Sequence, residues 1–279
     1  MFLPVPASVA EAVAARAGWL DAVVAACLAP RCAVCRQWLA APTRGAVCDV
    51  CWRAVAPFTP PLCATCGAPL ATSTRGSVPS PCALCERAPL RHVDRAAALG
   101  FHDGTLREVV HALKFGHRHG IAAHLARLLR EAHGDLIAGA DALVPVPLHP
   151  RRHRQRGFNQ AHEIARHLGP AVWPLLRRTR HTAPQSALDA RTRTHNVAGA
   201  FAVARGVTTR RALAWRPWRG HHGGRRQRVE GLEGRRVLLV DDVWTTGATL
   251  SACARVLKEA GAGEVWAIVI ARAVPSRLR

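Results

Sequence analysis

Residues 237–250, VLLVDDVWTTGATL, restrict the folds open to this chain more than any other stretch. Val237 to Val240 form an unbroken apolar run, the composition of a strand buried on both faces in a parallel sheet. Asp241 and Asp242 follow at its carboxyl end, then a loop of Thr and Gly, then a helical pattern from about Leu250 to Ala260. Open α/β sheets bind their ligands beyond the carboxyl ends of the strands, where this loop would lie. Thr245, Thr246 and Thr249 offer hydroxyls, Gly247 lets the backbone come close, and Ala248 leads into the helix. The helix start adds unpaired N–H groups and a positive dipole end, which favour a phosphate. The acidic pair suits the vicinal hydroxyls of a ribose, directly or through Mg²⁺. An ordinary strand–turn–helix has little use for two adjacent acids and three threonines. The stretch is built for a sugar phosphate.

The chain has 279 residues, enough for one or two domains with a real core. Its formal net charge is +21 and its pI about 11.4. Of 39 basic residues only Lys114 and Lys258 are lysine. Attraction to phosphates, nucleotide or nucleic acid, is one reading of that excess. A coding bias toward Arg and Ala with a basic insert is the other. No apolar run reaches eighteen residues, so no membrane insertion is expected. Residues 7–28 are apolar and Ala-rich, but Glu11, Arg16 and Asp21 break a signal-peptide core. They read as an amphipathic helix capped by Ser8, packing Val9, Val13, Leu20, Val23 and Val24 on its own protein. The expectation is a cytoplasmic protein with reduced thiols.

Eight of the ten cysteines form four Cys-x-x-Cys pairs: Cys32/Cys35, Cys48/Cys51, Cys63/Cys66 and Cys82/Cys85. Gaps of 12, 11 and 15 residues separate them. Each pair can give two thiolates to one ion, and two pairs complete a tetrahedral Zn²⁺ site. Sequential pairing is simplest, and a cross-braced pairing stays open. Disulfides are disfavoured by compartment, and a redox Cys-x-x-Cys does not need four copies. Few large apolar residues lie in this segment, so two structural Zn²⁺ ions would supply its folding energy, on the order of 10 kcal/mol each. Four thiolates per ion leave no open position for catalysis, although a ribbon face could meet nucleic acid. Cys27 and Cys253 read as small buried residues.

Residues 95–101 read as a strand, 103–113 as a helix with Asp103 near its start, and Ile121 to Ala132 as a second helix. Lys114, between them, is a candidate phosphate contact or a solvated lysine. Residues 142–148 read as a short strand stiffened by Pro145 and Pro147. A loop rich in cations follows (Arg151, Arg152, His153, Arg154, Arg156), then Gly157 and a helix start near Asn159. Such an arrangement suits a doubly charged anion such as pyrophosphate. Residues 177–201 are polar and basic with little periodicity. Residues 205–228 hold eight Arg and no acid, and 205–233 read as a disordered insert in which Trp215 and Trp218 could stack on single-stranded bases. Glu264 to Ala271 is a strongly apolar final strand.

The run 237–250 resembles the phosphoribosyl-pyrophosphate (PRPP) loop of type I phosphoribosyltransferases. Together with RRHRQRGFNQ, LKF and the four cysteine pairs, it resembles the ComF family of phosphoribosyltransferase-like proteins, which includes competence proteins. The likeness spans roughly residues 30–204 and 234–273. It implies an α/β fold: a Rossmann-like parallel sheet of the type I phosphoribosyltransferase kind behind a small double zinc-ribbon module. The implied division is an amino-terminal helix (1–28), the ribbons (29–90) and the phosphoribosyltransferase domain (91–279), in which 205–233 departs from the family pattern.

The resemblance further implies that Asp241, Asp242 and residues 245–249 hold the ribose and 5′-phosphate of PRPP. The loop around 147–157, with Arg154, Arg156 and Gly157, would face the pyrophosphate, and Lys114 is a further candidate PRPP contact. Gln185, Leu188, Arg193, Asn196, Ala200 and Phe201 match the family's flap, whose closure would exclude water. The implied reaction moves phosphoribosyl, with Mg²⁺, to a nitrogen acceptor such as a nucleobase, in nucleoside metabolism or DNA uptake. The rival is a catalytically silent protein that binds PRPP or single-stranded DNA and serves the DNA-uptake machinery. A PRPP-responsive regulator would need a helix-turn-helix, and none is legible. No general base can be named from the sequence.

Overall fold

The structure is a computed structural model that describes residues 18–24, 26–70, 82–87, 89–115, 119–180, 199–204 and 231–273. Strands β1 (Arg95–Phe101), β2 (Ala142–Pro145), β5 (Arg236–Trp244) and β6 (Glu264–Arg272) form a parallel sheet in the order β1-β6-β5-β2. A short antiparallel pair, β3 (Leu176–Arg178) and β4 (Phe201–Val203), stands beside it. Both faces of the sheet are covered, so its strands are apolar throughout. Val237 to Val240 are fully buried, and β6 is buried from Val265 onward.

Two short helices, α1 (Asp49–Arg53) and α2 (Ala83–Arg87), precede β1, and one face of the sheet carries α3 (Gly104–Lys114), α4 (His119–Ala138) and α6 (Gln160–Ala165). Leu106, Val109, Val110 and Leu113 recur at helical spacing along α3 and meet Leu99, Leu125, Leu129, Ile164, Leu238 and Ile268. The other face carries α7 (Ala248–Glu259) and the β3–β4 pair, with Leu175, Phe201, Leu239, Leu250, Leu257 and Val269 between. The chain leaves β2 into the first layer and β5 into the second. The carboxyl ends of these neighbouring strands therefore form the topological switch point where such sheets take ligands.

The free edge of β1 is not left open. Phe58 N–H donates to Leu99 O at 2.7 Å, and Ala96 N–H donates to Thr65 O at 2.8 Å. The ribbon segment thus runs along the edge strand and satisfies backbone groups that would otherwise invite foreign pairing. The approach is close enough to demand glycine. A Cβ at Gly100 would lie 2.7 Å from Ala56 O, and one at Gly67 would lie 2.9 Å from Ala96 O.

Several local expectations change. The cationic stretch after β2 is a helix, α5 (Pro150–Arg156), not a loop. His149 caps it by accepting from Arg151 N–H, Pro150 sits in its first turn, and Gly157 ends it at φ +76°. The second helix runs past Ala132 to Ala138 through a kink at His133, whose ring bonds Ala98 O of β1 at 3.0 Å. Leu232, expected in an insert, is fully buried, so the core resumes before residue 234.

The amino-terminal helix, described at 18–24 and 26–28, leaves Leu20 and Val23 of its expected apolar stripe exposed and Val24 half-buried, while Val9 and Val13 lie outside the described residues. Trp19, Leu20 and Leu28 are exposed, while Asp21 is buried because Thr43 donates to it from both N–H and hydroxyl, at 2.8 and 2.7 Å. Cys27 is exposed, not buried, and Cys253 is buried as expected. Residues 181–198 of the flap, 205–230 of the insert and 1–17 lie outside the described residues. Among the described residues no helix is long and apolar enough to cross a membrane.

Gly100→Ala should therefore separate the ribbon from the β1 edge. It is expected to cost about 1–3 kcal/mol by forcing the backbones apart, read as a lowered Tm. Gly120→Ala, in α4 with nothing within 4 Å of its Cβ, should leave Tm unchanged or raise it. Equal effects of the two would refute the close-contact reading.

Candidate functional site

Consecutive residues of a strand point to opposite faces, and β5 uses this to send its two carboxylates apart. Asp242 enters the first layer, where Lys114 Nζ of α3 lies 3.3 Å from its Oδ2. Arg156, at the end of α5, lies in the field of Asp242 and sets its guanidinium 5.4 Å above the Phe115 ring. Asp241 enters the second layer, in the field of Arg178 from β3 and above the buried Cys253 of α7. Arg152, one helical turn before Arg156, repels both Arg156 and Arg178 and so lies close to each. Cations from α3, α5 and β3 thus surround one acidic pair.

The two acids remain coupled across the strand. Asp242 N–H donates to Asp241 Oδ1 at 2.9 Å. Asp241 keeps some accessible surface yet is enclosed by protein. Burial first, and repulsion from Asp242 second, push its carboxyl up to about 7, against the pull of Lys114 and Arg178. The same burial, with Asp241 beside it, raises the Cys253 thiol. His102, just past β1, is depressed by burial and by Lys114 and Arg107, so it stands neutral within the field of Asp242.

The loop after β5 joins this set. Gly247 takes φ +76° and precedes α7. A Cβ there would lie 2.4 Å from Leu90 Cδ2 and 3.0 Å from Trp244 Nε1, so only glycine fits. Ala248 N–H donates to Thr246 Oγ1 at 3.4 Å, shaping the turn into the helix. Thr245 and Thr249 flank it, partly exposed. At β2, Val146 N–H continues the pairing to Val240 O at 2.9 Å, and Asn159 Nδ2 holds Val146 O at 3.0 Å. The strand end and the basic helix are thereby fixed together.

Of the residues expected at the site, Asp241, Asp242, Lys114, Arg156 and the 245–249 loop converge. Arg154 is exposed, two residues round the helix from Arg152, and Gly157 serves as the turn that ends α5. Arg152, from the cationic stretch legible in the sequence, joins them, and so do Arg178 and His102, which no sequence signal singles out. Thirty-seven arginines give no spacing by which to choose among them, and His102 is a lone histidine after a strand. The two lysines divide cleanly: Lys258 is structural, bonding Asp94 at 2.8 Å and Gly263 O at 2.7 Å.

The cysteines gather sequentially. Cys32, Cys35, Cys48 and Cys51 form one cluster, and Cys63, Cys66, Cys82 and Cys85 the other, with all four Sγ atoms of each within 4.8 Å of one another. The Cys32–Cys51 and Cys35–Cys48 separations are 3.9 and 3.7 Å, and Cys63–Cys85 and Cys66–Cys82 are 3.8 and 3.5 Å. A tetrahedron with Zn–S bonds near 2.3 Å has edges of about 3.8 Å, so both clusters fit structural zinc. Burial opposes ionisation of Cys32 and Cys63, yet N–H groups aimed at their sulfurs draw both thiols down to about 6. Trp52 stacks on His124 of α4 at 3.8 Å and ties the first cluster to the first layer.

Two outcomes are expected. Purified protein should carry about two zinc ions per chain by metal analysis, and a value near zero would remove the ribbon assignment. Asp241→Asn should raise Tm above pH 7. A carboxyl lifted from 3.8 to about 7 on folding loses stability as pH rises through that window. The advantage of the variant should shrink as pH falls from 7 toward 4, and a pH-independent difference would contradict the buried-acid reading.

Residues 111–278 match the phosphoribosyl transferase domain, and residues 23–86 match the double zinc ribbon domain. The DNA utilization protein YhgH of Salmonella typhimurium is 34% identical over 253 residues, 85% of this chain and 95% of that protein. YhgH of Escherichia coli (strain K12) is 32% identical over 200 residues, 67% of this chain and 77% of that one. Competence protein F of Haemophilus influenzae is 30% identical over 190 residues, 64% and 73% of the two chains. With a parallel sheet bearing the acidic pair at its switch point and two four-cysteine clusters ahead of it, the chain belongs to the ComF family, a phosphoribosyltransferase-type domain joined to a double zinc ribbon.

Proposed function

We propose that this protein binds PRPP with Mg²⁺ at the carboxyl end of β5 and transfers its phosphoribosyl group to a nitrogen acceptor, releasing pyrophosphate. The observation that carries this reading is the acidic pair, ringed by cations from three elements beside a glycine-turned helix start. Asp241 and Asp242 accept hydrogen bonds from the ribose 2′- and 3′-hydroxyls. The 245–249 loop and the first N–H groups of α7 hold the 5′-phosphate. Lys114, Arg152, Arg156 and Arg178 face the leaving pyrophosphate, with Arg154 available from the outer side of α5. Asp241 and Asp242 would hold a Mg²⁺ ion arriving with PRPP, and that ion would supply charge neutralisation for the leaving group.

The C1–O bond to pyrophosphate breaks and a C1–N bond forms, while the acceptor gives up a proton. The positive charge that develops at C1 and the ring oxygen lies against the two carboxylates, and the negative charge on pyrophosphate lies against arginines. The acceptor is an aromatic nitrogen base of nucleoside metabolism. The cellular setting is the use or uptake of DNA, in line with the relatives' names.

A second reading has its own support in the +21 charge and the competence relatives. The site is kept as a PRPP sensor, and the protein works on single-stranded DNA. Calorimetric titration with PRPP and Mg²⁺, with pyrophosphate release assayed across a panel of nucleobases, separates the two. Binding with base-dependent release is the expected result, and binding without release favours the sensor. The double substitution Asp241→Asn, Asp242→Asn should weaken PRPP by roughly a hundredfold or more, because two charge-assisted sets of hydrogen bonds are lost. Unchanged affinity in a folded double variant overturns the site.

A further inference from the structure

Arg272, the last residue of β6, is 3% exposed and deeply buried for an arginine. Its guanidinium lies 3.8 Å over the Trp244 ring, and Nη1 donates to Cys66 O at 3.5 Å. Cys66 belongs to the second four-cysteine cluster. Trp244 is the residue after which β5 becomes the phosphate loop, and it is 2% exposed. One buried cation therefore spans from the metal knuckle to the base of that loop.

The placement of Arg272 depends on a slip in the sheet. Alternation sends Leu238 and Val240 to the first layer and Leu239 to the second, but Val243 is again first-layer and Trp244 second. On β6, Ile270 and Ala271 are consecutive and share the first layer. The register runs on from Asp241↔Val269 to Val243↔Ala271, with the rung between them missing. The slip turns Trp244 and Arg272 toward the second ribbon. The chain just after that ribbon touches the loop and the helix it opens: Leu90 fills the space a side chain at Gly247 would need, and Arg91 N–H donates to Ser251 Oγ in the first turn of α7 at 3.0 Å. The first four-cysteine cluster packs instead with Leu39, Val47 and Val55 in the opposite layer.

We propose that Arg272 and Trp244 are positioning residues that couple zinc in the second four-cysteine site to ligand binding at the phosphate loop. This rests on the PRPP reading above. Zinc held by four thiolates is a centre of two net negative charges, which gives buried Arg272 its counter-charge. Arg272 in turn presses Trp244, and with Leu90 and the Arg91–Ser251 bond it sets the turn at Gly247 in the shape that receives a phosphate. Coupling of this kind is reciprocal: a ligand on the loop must strengthen the hold on that zinc.

The test is zinc release from the full-length zinc-loaded protein to a chromogenic chelator, with and without PRPP and Mg²⁺. One of the two zinc equivalents should leave at least about fivefold more slowly with PRPP, the low end of ordinary coupling, and the other at an unchanged rate. The Asp241→Asn, Asp242→Asn protein, which should not bind PRPP, should show no slowing. Ser251→Ala, which removes one tether, should keep both zinc ions and bind PRPP several-fold more weakly. Arg272→Gln should do the same more strongly, with Arg272→Lys partly restoring affinity through its cation over Trp244. Should Arg272→Gln fail to fold, the wild-type release rates and Ser251→Ala decide. PRPP bound by the wild type with identical release rates for both zinc ions overturns the coupling alone. No PRPP binding by the wild type overturns the proposed function, and the coupling with it.

Discussion

Two like charges on adjacent residues of one buried strand are the constraint around which this molecule is arranged. Coulomb repulsion between such neighbours amounts to several kcal/mol near a protein surface and more where water is excluded. β5 relieves it by sending Asp241 and Asp242 to opposite faces, and each face answers with cations of its own. Lys114 and Arg156 come from helices of the first layer, and Arg178 from the strand pair of the second. The relief is incomplete, since Asp241 still holds its proton to about pH 7. The fold keeps an uncomfortable acid at its switch point, and stability given up locally is a common signature of a site arranged for a ligand.

The amino-terminal third solves a different problem. It is too poor in large apolar side chains to fold around a core of its own, and the sheet has an exposed edge at β1 that needs covering. Each deficiency answers the other. The ribbon backbone pairs with β1 through Phe58 and Thr65, and Gly67 and Gly100 permit the close approach. The two four-cysteine clusters then pack on opposite faces of the sheet, one beside Val47 and Val55 and the other beside Ala68 and Val93. A short segment with two metal sites thus becomes the third side of the phosphoribosyltransferase-type domain rather than an appendage on a linker.

Much of this is legible in the sequence, and the boundary of legibility has physical causes. Strand β1 has its present ends in the sequence because an apolar run between Asp94 and Asp103 admits few alternatives. The acidic pair with its Thr- and Gly-rich 245–249 loop and the four cysteine pairs are legible because their residue types and spacing are distinctive. Sequential metal pairing is not, since four equal knuckles pair in either order until the chain between them is folded. Helix α5 reads as a loop because its cations obscure helical periodicity, while its His149 cap, Pro150 and terminal Gly157 are local signals that reveal it. Arg178 and Arg272 are invisible among thirty-seven arginines. Arg272 matters through its burial and its contacts with Trp244 and Cys66, and Arg178 through its nearness to Asp241, none of which a local pattern carries. The amino-terminal helix inverts the usual rule: Thr43 satisfies Asp21, so the acid is buried and Trp19 is left outside.

The basic composition and the local site make different demands on a ligand. A net charge of +21 attracts any polyanion, through a field that fades over a Debye length of about 10 Å at 0.1 M salt. The acidic pair is selective within that field. A nucleic-acid backbone can satisfy Arg152, Arg156 and Arg178, but it would bring phosphates against Asp241 and Asp242 with no hydroxyl or cation between them. A phosphoribosyl ligand with Mg²⁺ presents hydroxyls to the acids and phosphates to the arginines at once. Carboxylates among these cations would disfavour simple polyanions there, which is discrimination by repulsion as much as by attraction. On the proposed reading, contact with DNA would fall to the general basic surface, and the switch point would suit a ligand that carries both kinds of group.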